Sequence, residues 1–256
     1  MREIKFAPSS TDLSYETGFT KEEQADVEEQ IRGLETQFGE AIARSATSYG
    51  TDIHYHVENE EKKTVYQLNS YFKNYSEMIG TSGTDMGHLS NAWNASFTPQ
   101  KEESRLTFVL DGVIKTVPSD FSITIKPKGL KNHPVLFDYE GNFMTIKKVE
   151  KHSEYSFRKS ILPVEKETSL IIEMKGGKET SASELGSWVL VDDKGKAYAT
   201  SQSGSSLDEK DKNGRYKTFM DLEVYDLDEV PEELTLHLVS VTRYEEVIEK
   251  WEVPLY

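Results

Sequence analysis

Cysteine is absent from all 256 residues. Its absence excludes a disulfide framework, a thiolate nucleophile and a cysteine zinc site. Long apolar runs are missing too, and Trp188-Val189-Leu190-Val191 is among the longest. A membrane-spanning helix needs about 20 apolar residues, so no such helix is expected within these residues. Basic side chains are the minority: 30 Lys and Arg face 45 Asp and Glu, giving a formal charge of −15. So acidic a surface repels nucleic acid and anionic lipid headgroups, and argues against both as partners. The acidity runs along the whole chain, as a solvating surface does.

The residues that are present point to β structure. Thirteen Tyr and eleven Phe argue against disorder. The length suggests about two domains. One strand pattern occurs twice. Val117-Pro118-Ser119-Asp120-Phe121-Ser122-Ile123-Thr124-Ile125 returns as Val230-Pro231-Glu232-Glu233-Leu234-Thr235-Leu236-His237-Leu238. Each copy alternates with period 2, as a half-buried strand does. The opening Ile4-Lys5-Phe6 and Leu13-Ser14-Tyr15 are echoed by Ile146-Lys147-Lys148 and Tyr155-Ser156-Phe157. The openings are offset by 142 residues and the repeated strands by 113, so the first copy is about 29 residues longer. That excess matches one helix. Thr20-Lys21-Glu22-Glu23 fits a capping box, and Val27, Ile31, Leu34, Phe38 and Ile42 follow at helical spacing.

Two hairpins are expected. Within residues 52–71, Ile53, Tyr55 and Val57 lead through the turn Asn59–Lys63 to a return over Val65–Leu68, and Trp188–Val191 turns through Asp192–Gly195. Gly80 to Gly87 reads as loop, and Lys126 to Pro134 as a linker bracketed by prolines. Many short strands separated by turns read as β-sandwiches. The expected fold is therefore mainly β: two tandem immunoglobulin-like sandwiches, residues 1–128 and 129–256, the first with an amphipathic helix inserted at about residues 20–45.

Candidate chemistry is sparse. His54 and His56 would share a face of one strand, as a pair of metal ligands could, but the alternation around them favours a polar, solvent-facing side. Asp208 to Gly214 partly follows a calcium loop, yet its twelfth position, counted from Glu209, is Met220. An exposed inter-strand loop is the simpler reading. Gly80, Gly83 and Gly87 match no nucleotide fingerprint. No hydrolase elbow, zincin helix or kinase set is present. Catalytic, cofactor-binding and metal residues are therefore all expected to be none.

The segment Ile4 to Tyr15, the repeated Val-Pro strand and the hairpin Val191-Asp192-Asp193-Lys194-Gly195-Lys196-Ala197-Tyr198 together resemble the extracytoplasmic part of Bacillus-type, Gram-positive membrane proteins related to anti-sigma factors. The resemblance covers most of residues 1–18 and 134–256. It implies an outer region of immunoglobulin-like β domains held by one spanning helix, with a protein or cell-envelope component as partner, and it carries no catalytic residues. The expected function is thus a non-enzymatic, extracytoplasmic sensing or interaction module of a membrane-anchored regulator. The alternative is a secreted or wall-associated adhesion or carbohydrate-binding protein, marked by an exposed row of aromatic rings.

Overall fold

The computed structural model describes residues 1–45, 49–68, 78–87, 89–101, 104–156, 165–180, 183–225, 227 and 229–255. The elements are β1 (Glu3–Phe6), β2 (Thr11–Gly18), α1 (Lys21–Phe38), α2 (Glu40–Ser45), β3 (Gly50–Glu58), β4 (Thr64–Leu68), β5 (Met78–Gly87), β6 (Ser90–Phe97), β7 (Leu106–Pro118) and β8 (Ser122–Ile125). They continue with β9 (Val135–Tyr139), β10 (Asn142–Ser156), β11 (Glu165–Lys178), β12 (Glu184–Leu185), β13 (Trp188–Asp192), β14 (Ala197–Lys210), β15 (Tyr216–Tyr225), β16 (Leu234–Leu238) and β17 (Ser240–Leu255). The fold is mainly β, made of antiparallel sheets in a sandwich arrangement, with helix where the capping box announced it.

The helix starts as its sequence dictates. Thr20 N–H donates to Glu23 Oε2 at 3.0 Å, and Glu23 N–H donates to Thr20 Oγ1 at 3.3 Å. Two otherwise free backbone donors are thereby satisfied reciprocally. The single helix expected over residues 20–45 is divided at Gly39. That residue sits at φ +86° and its N–H closes on Glu35 O at 2.9 Å, which ends α1 before α2 begins.

Two compact units emerge, and they are not consecutive halves. Unit 1 takes Met1–Glu28, Tyr49–Val117 and Arg243–Tyr256, and unit 2 takes Glu29–Ser48 and Pro118–Thr242. Neither unit coincides with the expected residues 1–128 or 129–256. Lys126 to Pro134 lies within unit 2, where Pro127, at the start of a 3-10 turn, and Leu130 are buried. The C-terminal part of β17 belongs to unit 1, although it is last in sequence.

Unit 1 is a two-sheet sandwich. One sheet has the order β1-β2-β6-β5, and the other runs β17-β7-β3-β4. Leu13 and Tyr15 of β2 and Phe97 of β6 meet Tyr55 and Val57 of β3, Tyr66 of β4, and Leu106 and Phe108 of β7 in one core. Ring centroids lie 4.6 Å apart for Tyr55–Phe108 and for Tyr66–Phe97. Each such pair adds about 1 kcal/mol beyond the area it buries. The expected alternation of Ile53, Tyr55 and Val57 is thus a core face. Residues 69–71 of the expected hairpin lie outside the described residues.

The stretch Gly80 to Gly87 is not a loop. It forms edge strand β5, antiparallel to β6. The Trp93 ring lies against Gly83, where an added Cβ would come within 2.6 Å of it. Glycine leaves room for that ring, and the cross-strand cover offsets what glycine lacks as a strand former.

Unit 2 is built on an eight-stranded sheet, β8-β16-β13-β14-β15-β11-β10-β9. The repeated strands do not hold equivalent places in two domains. They are β8 and β16, paired with each other: Thr235 faces Thr124, their hydroxyls 3.0 Å apart, and Leu236 faces Ile123. Phe137 on edge strand β9 comes 6.1 Å from Trp188 on β13, so the sheet folds over into two layers. Against the same unit, Leu34, Phe38 and Ile42 pack on Val189 and Val239. Burying a side chain such as Phe38 contributes about 2 kcal/mol. Phe157, on which the echo of the opening segment depends, lies outside the described residues.

Candidate functional site

The two histidines of β3 do share a face, opposite the core, but they are not a solvent-facing pair. Asp111 is an extra residue in β7: His54 pairs with Gly112 while Tyr55 already pairs with Leu110. This bulge turns the Asp111 carboxylate onto His56. His56 Nδ1 lies 2.8 and 3.0 Å from the Asp111 oxygens, and Nε2 lies 3.3 Å from Glu58 Oε1. His54 is buried, with the Tyr244 ring 5.1 Å away and also filling the space above Gly112. Burial holds the His54 pKa below its ordinary value, against the pull of Asp111. The imidazole of His56 thus stands between two carboxylates that face opposite nitrogens, which leaves no shared point for a metal. Among the described residues no three His, Asp or Glu side chains are grouped to hold one.

The Asp208 to Gly214 segment contains a hairpin turn. Asp211 Oδ1 accepts from Asn213 N–H at 2.8 Å and Arg215 N–H at 3.0 Å, and Gly214 stands at φ +79°. Asp192 does the same for Lys194 and Lys196, with Gly195 at φ +79°. Asn59 does it for Glu61 and Lys63, with Lys62 at φ +59°. One turn design therefore serves three hairpins, and the Asp211 oxygen that a cation would need already holds the turn.

A cavity of about 270 Å³ lies between the sheets of unit 1. Tyr15 and Thr17 reach it from β2, Thr51 and Ile53 from β3, Phe108, Leu110 and Val113 from β7, and Trp251 from β17. Strand alternation explains the set: Thr51 and Ile53 continue the inward face that becomes core at Tyr55. Trp251 stands edge-on to Phe108, centroids 5.9 Å apart, and is half exposed. Met1, Glu16 and Gly18 complete the lining, and Glu16 is ion-paired to Arg2.

The two threonine hydroxyls beside the cavity are unequal. Thr17 Oγ1 accepts from Trp93 Nε1–H at 2.9 Å and donates to Thr51 O at 2.6 Å. It is fully used. Thr51 is 5% exposed, and its Oγ1 has no hydrogen-bond partner. An unpaired buried hydroxyl costs about 1–3 kcal/mol. Next in β3, Asp52 is partly buried, and desolvation pushes its pKa up to about 6 despite the Ile53 N–H donated to Oδ1 at 2.7 Å.

No protein-family model, no curated protein and no solved structure matches this chain. The cavity was not foreseen from the sequence. Its residues come from four strands spread over most of the chain, and each read separately as strand or core. The one local trace is a threonine at an inward-facing position.

Proposed function

We propose that this chain is a non-enzymatic sensing and interaction module in the extracytoplasmic part of a membrane-anchored, anti-sigma-like regulator. Its partner is a protein or a cell-envelope component. The observation that carries this reading is the unit 1 cavity: a concave, largely apolar site with few polar groups, framed by two packed sheets. Side chains of both sheets line it, so occupancy bears on the sandwich as a whole, as a sensing domain requires. A net charge of −15 disfavours nucleic acid as the partner. Among the described residues no helix is long and apolar enough to cross a membrane, so the anchor in this reading belongs to sequence outside this chain. The adhesion alternative expects a row of exposed aromatic rings. Among the described residues the large exposed ones are Phe219 and Trp251, one in each unit, which lends it no support.

Two measurements test the proposal. Protease treatment of intact cells making the natural gene product should remove the chain, and protection until lysis would overturn the setting. Hydrogen exchange of the chain mixed with the envelope fraction of those cells should show protection on β2, β3 and β7. Protection confined to unit 2, or none, would overturn the binding role.

A further inference from the structure

We propose that Lys178 and Asn142 of unit 2 join through an intramolecular amide bond between their side chains, with the Glu184 carboxyl as proton carrier. The two residues stand opposite each other. Asn142 opens β10, Lys178 closes β11, and they are direct partners in the antiparallel register. Side chains so placed leave the same face with Cβ atoms about 5 Å apart, inside the reach of a lysine. That face is the core face: Met144 and Ile146 continue the Asn142 row, Ile172 and Met174 lead to Lys178, and all four are buried. Asn142 is 1% exposed and Lys178 3%, and no other lysine among the described residues is buried. A tight turn delivers the asparagine. Glu140 and Gly141 stand at φ +48° and +69°, and Asn142 Nδ2–H donates to Glu140 O at 3.0 Å.

The chemistry follows from burial. Desolvation holds the Lys178 pKa below its ordinary value, against the pull of Glu184. Glu184 Oε1 lies 3.5 Å from Nζ, reaching in from β12 with its own side chain half exposed. A proton handed from the ammonium to Glu184 leaves a neutral amine, which is a nucleophile. Nζ then bonds to Cγ of Asn142, and the Cγ–Nδ2 bond breaks. Glu184 gives its proton to the departing nitrogen and takes one from Nζ, so ammonia leaves and the acid is regenerated. The step consumes no oxidant and no co-reactant. Its product removes an ionisable group from the core and leaves one neutral amide in its place, which ends the cost of burying the charge. The new bond closes a ring through residues 142–178, around the whole β10–β11 hairpin.

Intact-mass spectrometry of the full chain under denaturing conditions tests the bond. The purified, folded chain should be lighter than its sequence by one ammonia. A proteolytic map should show the Asn142 and Lys178 peptides linked, with trypsin failing to cut after Lys178. Glu184→Gln removes the proton carrier at a half-exposed position, so it should keep the β-sheet circular dichroism and leave the chain at the full mass of its sequence. Lys178→Met fills similar space without an amine and should also show no loss of ammonia. A wild-type chain of full sequence mass with its β-sheet circular dichroism intact would overturn the proposal. So would ammonia loss that maps to other residues, or that persists in Glu184→Gln or Lys178→Met.

Discussion

Replacing Asp52 by Asn should stabilise unit 1 at neutral pH. Burial is the dominant influence on this carboxyl, raising its pKa from 3.8 to about 6, and the Ile53 N–H only partly opposes it. The raised value means that the folded state holds the proton more tightly than the unfolded chain. The charged form is therefore penalised above pH 6, and the penalty fades as pH falls from about 6 to 4. That rise corresponds to about 3 kcal/mol. Asn keeps an oxygen to accept from Ile53 and removes the charge. Urea denaturation followed by tryptophan fluorescence, where Trp93 and Trp251 report unit 1 and Trp188 reports unit 2, should show Asp52→Asn gaining about 2–3 kcal/mol at pH 7 and almost nothing at pH 4. An equal difference at both pH values, or a loss at pH 7, would refute the assignment of burial as the cause.

Thr51→Val should raise the stability of the free protein by about 1 kcal/mol, because it removes an unpaired buried hydroxyl at constant shape; the same urea titration reads it. Gly195→Ala should cost about 1 kcal/mol, since the position needs φ +79°, while Lys62→Gly, at the matching place of another hairpin, should change stability in the opposite direction. Glu23→Ala should cost about 1 kcal/mol through the lost capping box, seen as reduced helical circular dichroism. The Lys115 ammonium beside Glu23, with the Thr20 contacts, holds its pKa at about 2, so that contribution is present above pH 4.5 and fades toward pH 2. At a side chain this exposed the ion pair itself adds no more than about 1 kcal/mol.

What the sequence revealed was local. The capping box at Thr20 and Glu23, the inward alternation of Ile53, Tyr55 and Val57, and the turn at Asp192 each depend on residues within a few positions of one another. The rest depends on distant partners. Gly80 to Gly87 reads as loop because glycine disfavours strands, and the Trp93 ring that covers Gly83 is not visible locally. His54 reads as solvent-facing because Tyr244, which covers it, is 190 residues further along. The repeated Val-Pro strands suggest duplication, yet likeness of pattern does not say which strands pair, and these two pair with each other. The cavity was hidden for the same reason: its walls come from β2, β3, β7 and β17.

The most direct test of unit 1 as the sensing and interaction surface is methyl-detected NMR of the full chain titrated with a solubilised envelope extract of cells making the natural gene product. Saturable shifts should appear at Thr51, Ile53, Leu110 and Val113, the methyl-bearing lining residues of β3 and β7, with unit 2 methyl groups unmoved. Shifts confined to unit 2, or a linear drift with no saturation at those four residues, would contradict the assignment.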